Sequence, residues 1–337
     1  MARKSECATM YDNHGRPLNY LRISVTDRCN LRCTYCMPAE GIAYLPRHEI
    51  LSYEEMERLI RLLAEMGVRK LRITGGEPFL RKGLLDFTRT TSTIPGIEEI
   101  HITTNGVLTE QHIPELKEIG IAGINLSLDT LDREHFIEIT RRDELDKVMS
   151  TFHKILDHEI PLKVNAVVMD SMNSHQIVPL AKLTRDFPIE MRFIEEMPFN
   201  GQTSENPGLH GNARRILQEL NQNFSAMKRI QDKPNTTSML YEIPGHKGKV
   251  GIIGGFSRLF CGTCNRLRIT AKGILKTCLY DDGVLDLKQM IRSGSSESEI
   301  RDAILKCVGG RFKDGYEAQQ NRVKERAVTE SMSEIGG

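Results

Sequence analysis

Cys29, Cys33 and Cys36 stand in the stretch Ser24-Val-Thr-Asp-Arg-Cys-Asn-Leu-Arg-Cys-Thr-Tyr-Cys-Met with the spacing C-x3-C-x2-C. Thiolates hold iron–sulfur clusters, normally one per iron. Three of them on a cubane leave the fourth iron without a protein ligand. Catalytic metal sites keep such a position free for the reactant, whereas structural sites are closed. A second group, Cys261, Cys264 and Cys278, has the spacing C-x2-C-x13-C and again offers three ligands, not four. Zinc is the alternative. Cys33 and Cys36 with Cys261 and Cys264 could form a closed four-thiolate site, which would leave Cys29 and Cys278 idle. A zinc in the second group alone would need a fourth ligand, for which His246 is the nearest upstream candidate. Cys7 and Cys307 stand apart and are read as a tail residue and a small apolar residue beside a helix.

Two further constellations bear on chemistry. In Gly75-Gly76-Glu77-Pro78 the glycines permit close backbone approach to a ligand, and Glu77 offers a carboxylate to an ammonium group. Arg266 and Arg268 alternate in a strand-like run just after Cys264, so both point to one face. Two guanidiniums there suit an anion, above all a phosphate.

The elements that must position these residues are read from apolar periodicity. Strands are expected at Leu21–Val25, Lys70–Thr74, Glu99–Thr103, Gly123–Leu128, Leu162–Val168 and Ile189–Ile194. Ser52-Tyr-Glu-Glu opens a helix as a capping box, with Met56, Leu59, Ile60, Leu63 and Met66 on one face and Gly67 closing it. Helical spacing recurs over Thr130–Thr140, Leu145–His158 and Ser174–Phe187. Repeated βα units imply a parallel sheet, either doubly wound or an incomplete barrel, and both gather function at the strands' carboxyl ends. The polar punctuation falls there: the cysteine loop, Gly75–Pro78, Thr103-Thr104-Asn105-Gly106, Ser127-Leu-Asp129 and Glu195-Glu196-Met197-Pro198. Beyond Met197 the texture changes. A loop is expected over Asn200–Asn212, a helix over Ala213–Phe224 and a strand over Tyr241–Ile253. Three parts follow: a tail over 1–12, βα repeats over 13–200 and a C-terminal region over 201–337.

The chain has 337 residues, 46 basic against 45 acidic, and a formal net charge of +1, so no overall field draws it to nucleic acid or to an anionic membrane. No apolar run is long enough to span a bilayer, and the N-terminus lacks the apolar stretch of a signal peptide. A cytoplasmic location is expected, and eight cysteines in a reducing compartment are not read as four disulfides.

The cysteine loop together with Gly75-Gly76-Glu77-Pro78 resembles the signature of the radical S-adenosylmethionine enzymes. Adding the C-terminal C-x2-C-x-R-x-R…C and the final Gly336-Gly337, the chain from about Asp12 onward resembles the GTP 3′,8-cyclase family, which opens molybdenum-cofactor biosynthesis. The resemblance implies an incomplete (βα)6 TIM-like barrel with a C-terminal region carrying a second cluster. It implies two [4Fe–4S] clusters, on Cys29, Cys33 and Cys36 and on Cys261, Cys264 and Cys278. It implies S-adenosylmethionine contacts at Tyr35, Gly76, Glu77, Ser127 and Met197. GTP contacts are implied at Arg22, Arg72, Thr103, Lys163, Arg266 and Arg268, with Lys70 and Arg192 as secondary candidates. Gly336 and Gly337 are implied to reach the active site. The implied chemistry is abstraction of the ribose C3′ hydrogen of GTP by a 5′-deoxyadenosyl radical, followed by bonding of C3′ to C8 of guanine. Implied partners are an electron-donating reductase and a downstream cyclic pyranopterin monophosphate synthase, and the family allows a homodimer.

Overall fold

The computed structural model describes residues 9–169, 172–197, 212–231, 234–321 and 331–336. Cys7, Pro198, Gly337 and the loop expected before Asn212 lie outside the described residues.

Six strands follow the expected order: β1 (Tyr20–Ser24), β2 (Lys70–Thr74), β3 (Glu99–Thr104), β4 (Gly123–Ser127), β5 (Leu162–Val168) and β6 (Glu190–Glu195). Each pairs in parallel with the next. The connecting helices are α1 (Tyr53–Glu65), α2 (Leu84–Ser92), α3 (Ile113–Ile119), α4 (Arg133–Thr140), α5 (Leu145–Asp157) and α6 (Ile177–Asp186). In α1 the capping box is formed: the Ser52 hydroxyl accepts from Glu55 N at 3.2 Å, and Glu55 accepts from Ser52 N at 2.7 Å. Met56, Leu59, Ile60 and Leu63 are buried on one face, and Gly67 lies just past the Met66 cap with φ +108°. The helix expected from Thr130 starts three residues later, because Asp132 accepts from His135 N and fixes the first turn there.

Strand periodicity divides the side chains. Leu21, Ile23, Leu71, Ile73, Ile102, Ile124, Leu126, Val164 and Ala166 have no exposed surface and join the helices in one core. The alternate residues Arg22, Arg72, Thr103, Asn125, Lys163, Asn165 and Arg192 line cavities on the other face. That face encloses space instead of packing on a second helix layer, so the sheet is a partial barrel.

The C-terminal region extends this sheet at both edges. After α7 (Asn212–Asn223) come β7 (Lys228–Arg229), β8 (Met239–Glu242), β9 (Lys249–Ile253), β10 (Arg266–Ile269), β11 (Ile274–Lys276) and β12 (Leu285–Asp286). β9 runs parallel to β6, and β10 runs parallel to β1. The sheet order is β12-β11-β10-β1-β2-β3-β4-β5-β6-β9-β8-β7. The single strand expected over Tyr241–Ile253 is instead the antiparallel pair β8 and β9, since Pro244 and Gly245 (φ +81°) turn the chain between them. Short helices α8 (Leu287–Arg292), α9 (Glu297–Gly309), α10 (Gly315–Gln320) and α11 (Met332–Ile335) complete the chain. Cys307 sits on α9, half-buried against the core.

Candidate active site

The loop after β1 brings Cys29, Cys33 and Cys36 to one wall of a cavity at the carboxyl ends of the strands. Gly75 and Gly76 explain how it is held. A Cβ on Gly75 would lie 2.7 Å from Thr26 O, and one on Gly76 would lie 2.3 Å from Arg28 O. The close approach that requires glycine is therefore to the cysteine loop itself, which also accepts from Gly76 N and Glu77 N. The Cys29 sulfur accepts from Leu31 N at 3.4 Å and from Asn105 Nδ2 at 3.7 Å. Burial pushes the Cys29 thiol up to about 12 and Cys36 up to about 11. Thiols so buried ionise when a bound cation replaces the proton.

Tyr35, Gly76, Ser127 and Met197 all line this cavity. Tyr35 donates to Asp129 at 2.9 Å, and Asp129 also accepts from Val167 N. Burial raises the Asp129 carboxyl to about 6 despite those bonds. Glu77 lies beside this wall, tied into the loops on either side. It has no exposed surface and does not line the cavity. Its oxygens accept from Phe79 N, the Thr104 hydroxyl and Asn105 N at 3.1, 2.9 and 2.7 Å. The carboxylate thus orders the β3 loop that carries Asn105.

Register explains the cation cluster inside the barrel. Arg268, Arg22 and Arg72 are neighbours across β10, β1 and β2, and Arg266, Tyr20 and Lys70 form the row below. Arg22, Arg72, Arg192 and Arg266 line both the cysteine-side cavity and a second cavity that also holds Tyr20, Lys70 and Lys163. Arg72 donates to the Tyr20 hydroxyl and, at 3.2 Å, to Thr103. Burial would raise the Tyr20 phenol, but the charges of Arg72, Arg22, Lys70 and Arg266 outweigh it and bring it to about 7. Burial and the Arg192 charge lower Lys163 to about 8. Lys70 is drawn to Glu99 at 2.5 Å and Arg192 to Glu190 at 2.5 Å. Arg22 Nε, Asn125 Oδ1 and Asn165 Oδ1 are buried beside these cavities without a hydrogen-bond partner among the described residues. The Arg22 donor suits an anion, and the two asparagine oxygens suit N–H or O–H donors of a polar guest. Asn125 and Asn165 carried no sequence signal beyond their place in strands.

The second cysteine group lies behind Phe260, Arg266 and Leu279, which line the cavity where the cysteines do not. The Cys264 sulfur accepts from Arg266 Nη2 at 3.3 Å and from Arg311 Nη2 at 3.2 Å. Burial raises this thiol, yet the two guanidiniums prevail and bring it down to about 6. Arg266, expected on phosphate, therefore spends part of its fork on a cysteine and stacks on Phe260. Arg268 donates to Gly336 O at 2.8 Å. A Cβ on Gly336 would meet Thr74 Cγ2 at 2.8 Å, so Gly336 packs among the strand ends. Ser331 donates to Cys36 O at 2.7 Å.

Among the described residues no three Cys, His, Asp or Glu side chains converge as ligands of one ion. A single zinc draws its ligands to about 2.3 Å of one point, whereas a cubane meets each thiolate at a separate corner. Three thiols per group, each group beside buried unpartnered polar atoms or guanidiniums, fit two clusters. His246 is not with the cysteines; its Nδ1 meets the Thr184 hydroxyl at 2.7 Å.

Residues 23–184 match the Radical SAM superfamily, and residues 189–316 match the family Molybdenum Cofactor Synthesis C. The GTP 3′,8-cyclase of Desulforamulus reducens is 41% identical over 97% of this chain and 100% of its own length. Molybdenum cofactor biosynthesis protein 1 of Homo sapiens is 39% identical over 90% of this chain, which spans 48% of that relative. The chain likewise spans about half of the Caenorhabditis elegans relative, 54%. Among solved structures, Streptococcus suis SuiB aligns with a TM-score of 0.63 at 14% identity, over 92% of this chain and 70% of that one, a likeness of fold.

Proposed function

The chain belongs to the GTP 3′,8-cyclase family of radical S-adenosylmethionine enzymes, and from that premise we propose how its residues divide the work of converting GTP in molybdenum-cofactor biosynthesis. Cys29, Cys33 and Cys36 would hold the first [4Fe–4S] cluster, and Cys261, Cys264 and Cys278 the second. When bound, the first cluster and S-adenosylmethionine would supply a 5′-deoxyadenosyl radical able to remove the C3′ hydrogen of GTP; bonding of C3′ to C8, with one further electron and one proton from a reductant and solvent, would give 3′,8-cyclo-7,8-dihydro-GTP.

The chain's own contribution is position and exclusion of water. Tyr35, held by Asp129, and Gly76, Ser127 and Met197 would seat S-adenosylmethionine beside the first cysteine loop. Glu77 serves this seat indirectly, by fixing Thr104 and Asn105. Arg22, Arg72, Lys163, Arg192 and Arg266 would bind the triphosphate, with Thr103 beside Arg72 and with Lys70 at the rim. Arg268, which lines the cysteine-side cavity and donates to Gly336 O, would contact GTP there while keeping Gly336 over the reacting groups. Residues 13–200 then serve the cofactor and residues 201–337 the second cluster and the chain end.

The observation that carries this reading is the run of arginines along the barrel interior, which joins the cysteine-side cavity to the basic cavity. Anaerobic incubation with GTP and S-adenosylmethionine tests it: cyclised nucleotide should form, and a reductant should be required. An electron-donating reductase, delivery of product to a cyclic pyranopterin monophosphate synthase, a homodimer and a cytoplasmic setting extend the proposal.

A further inference from the structure

Arg311 is buried in the C-terminal region, and all five of its N–H groups are directed at fixed acceptors. Nε donates to Thr277 O at 2.9 Å, Nη1 to Cys264 O at 2.8 Å and to Asp12 Oδ2 at 3.0 Å, and Nη2 to the Cys264 sulfur and to Arg266 O at 3.2 Å each. Asp12 has a side chain with no exposed surface. Its Oδ2 also accepts Arg16 Nε at 2.6 Å, and its Oδ1 accepts His14 N and Arg16 N at 2.9 Å. Arg16 in turn donates to Cys261 O at 3.0 Å, Lys313 O at 2.7 Å and Phe312 O at 2.8 Å. The first described residues are thus no free tail at the second cysteine group. Two buried guanidiniums bridged by one carboxylate hold the carbonyls of Cys261 and Cys264, and one of them reaches a sulfur.

We propose that Arg311 is a positioning residue for the second iron–sulfur site: with Asp12 and Arg16 it fixes the Cys261–Cys264 turn, and through the Cys264 sulfur it raises the site's reduction potential. The inference rests on the reading that Cys261, Cys264 and Cys278 hold a cluster. Hydrogen bonds and positive charge at a ligating sulfur offset the negative charge gained on reduction, and both are recognised controls of cluster potential. Asp12 has two parts in this. It orients Arg311, and its own charge opposes the effect of the guanidinium. Arg266 donates to the same sulfur from inside the barrel, so Cys264 is held from both sides.

The sign of the shift separates charge from packing. Arg311→Gln, Arg311→Lys and Asp12→Asn would be reconstituted anaerobically, their iron and sulfide counted, and both clusters titrated by electron paramagnetic resonance. In Arg311→Gln the second midpoint should move to a more negative potential while the first stays in place; Arg311→Lys should move less. Asp12→Asn, which removes a negative charge and leaves Arg311 present, should move the second midpoint the opposite way. If Arg311→Gln loses iron from the second group, the opposite shift in Asp12→Asn and the small one in Arg311→Lys decide the matter. Unmoved midpoints in the iron-replete variants, or shifts of one sign in all three, would overturn the proposal. Wild-type protein with iron for one cluster only would overturn instead the reading beneath it.

Discussion

Replacing Cys33 by alanine removes one thiolate from the first loop and leaves the second group untouched. Reconstituted iron should fall from about eight per chain to about half, and cleavage of S-adenosylmethionine should stop; iron analysis and an assay for 5′-deoxyadenosine check both. Arg268 lines the cavity as well as reaching Gly336. Charge-assisted hydrogen bonds contribute about 1.5–3 kcal/mol, so Arg268→Ala should weaken GTP binding by roughly one to two powers of ten in a titration, with both clusters retained. Tyr20 gives a pH dependence. Its folded pKa of about 7 lies below the ordinary value of 10.0, so the fold favours the phenolate, which accumulates as pH rises through about 7. A negative charge among the triphosphate cations then opposes the substrate. GTP affinity should therefore fall across that range in the wild type, and Tyr20→Phe should flatten the profile.

At the scale of elements, Ser52→Ala removes one half of the α1 capping box. About 1 kcal/mol should be lost in denaturant unfolding, with cluster content unchanged, because α1 packs on the outer face of the sheet. The six inner strands were legible because short apolar runs alternate with helical spacing and five of them end in polar punctuation; Lys70–Thr74 and Leu162–Val168 are strands at those bounds. What escaped has physical reasons. β9 and β10 are short and join the edges of a sheet whose other strands lie far away in sequence, and no local period reports such pairing. The Tyr241–Ile253 expectation ran through Pro244-Gly245, a turn signal overridden by the β-rich flanks. Glu77 shows the same limit within the site: its residue type suited an ammonium group, but its bonds to Asn105 N and the Thr104 hydroxyl had no signal in the sequence. Asp12, Arg16 and Arg311 were missed because their partners lie up to 299 residues apart.

For the whole molecule, the sheet does not respect the change of sequence texture near residue 200. β9 covers the open edge of β6, and β10 covers that of β1. A fragment ending at residue 200 would expose both edges as templates for pairing, so it should aggregate when expressed alone; size-exclusion chromatography checks this, and a soluble monomeric fragment would show that the barrel stands without its extensions. In the intact chain the same arrangement sets the two cysteine groups around one arginine-lined interior. That interior would hold GTP with its C3′ hydrogen presented to the radical. The most direct test of this is anaerobic turnover with S-adenosylmethionine and GTP deuterated at C3′, followed by mass analysis of both products. Deuterium should appear in 5′-deoxyadenosine together with cyclised nucleotide. Cleavage of S-adenosylmethionine that leaves the deuterium on GTP would contradict the account.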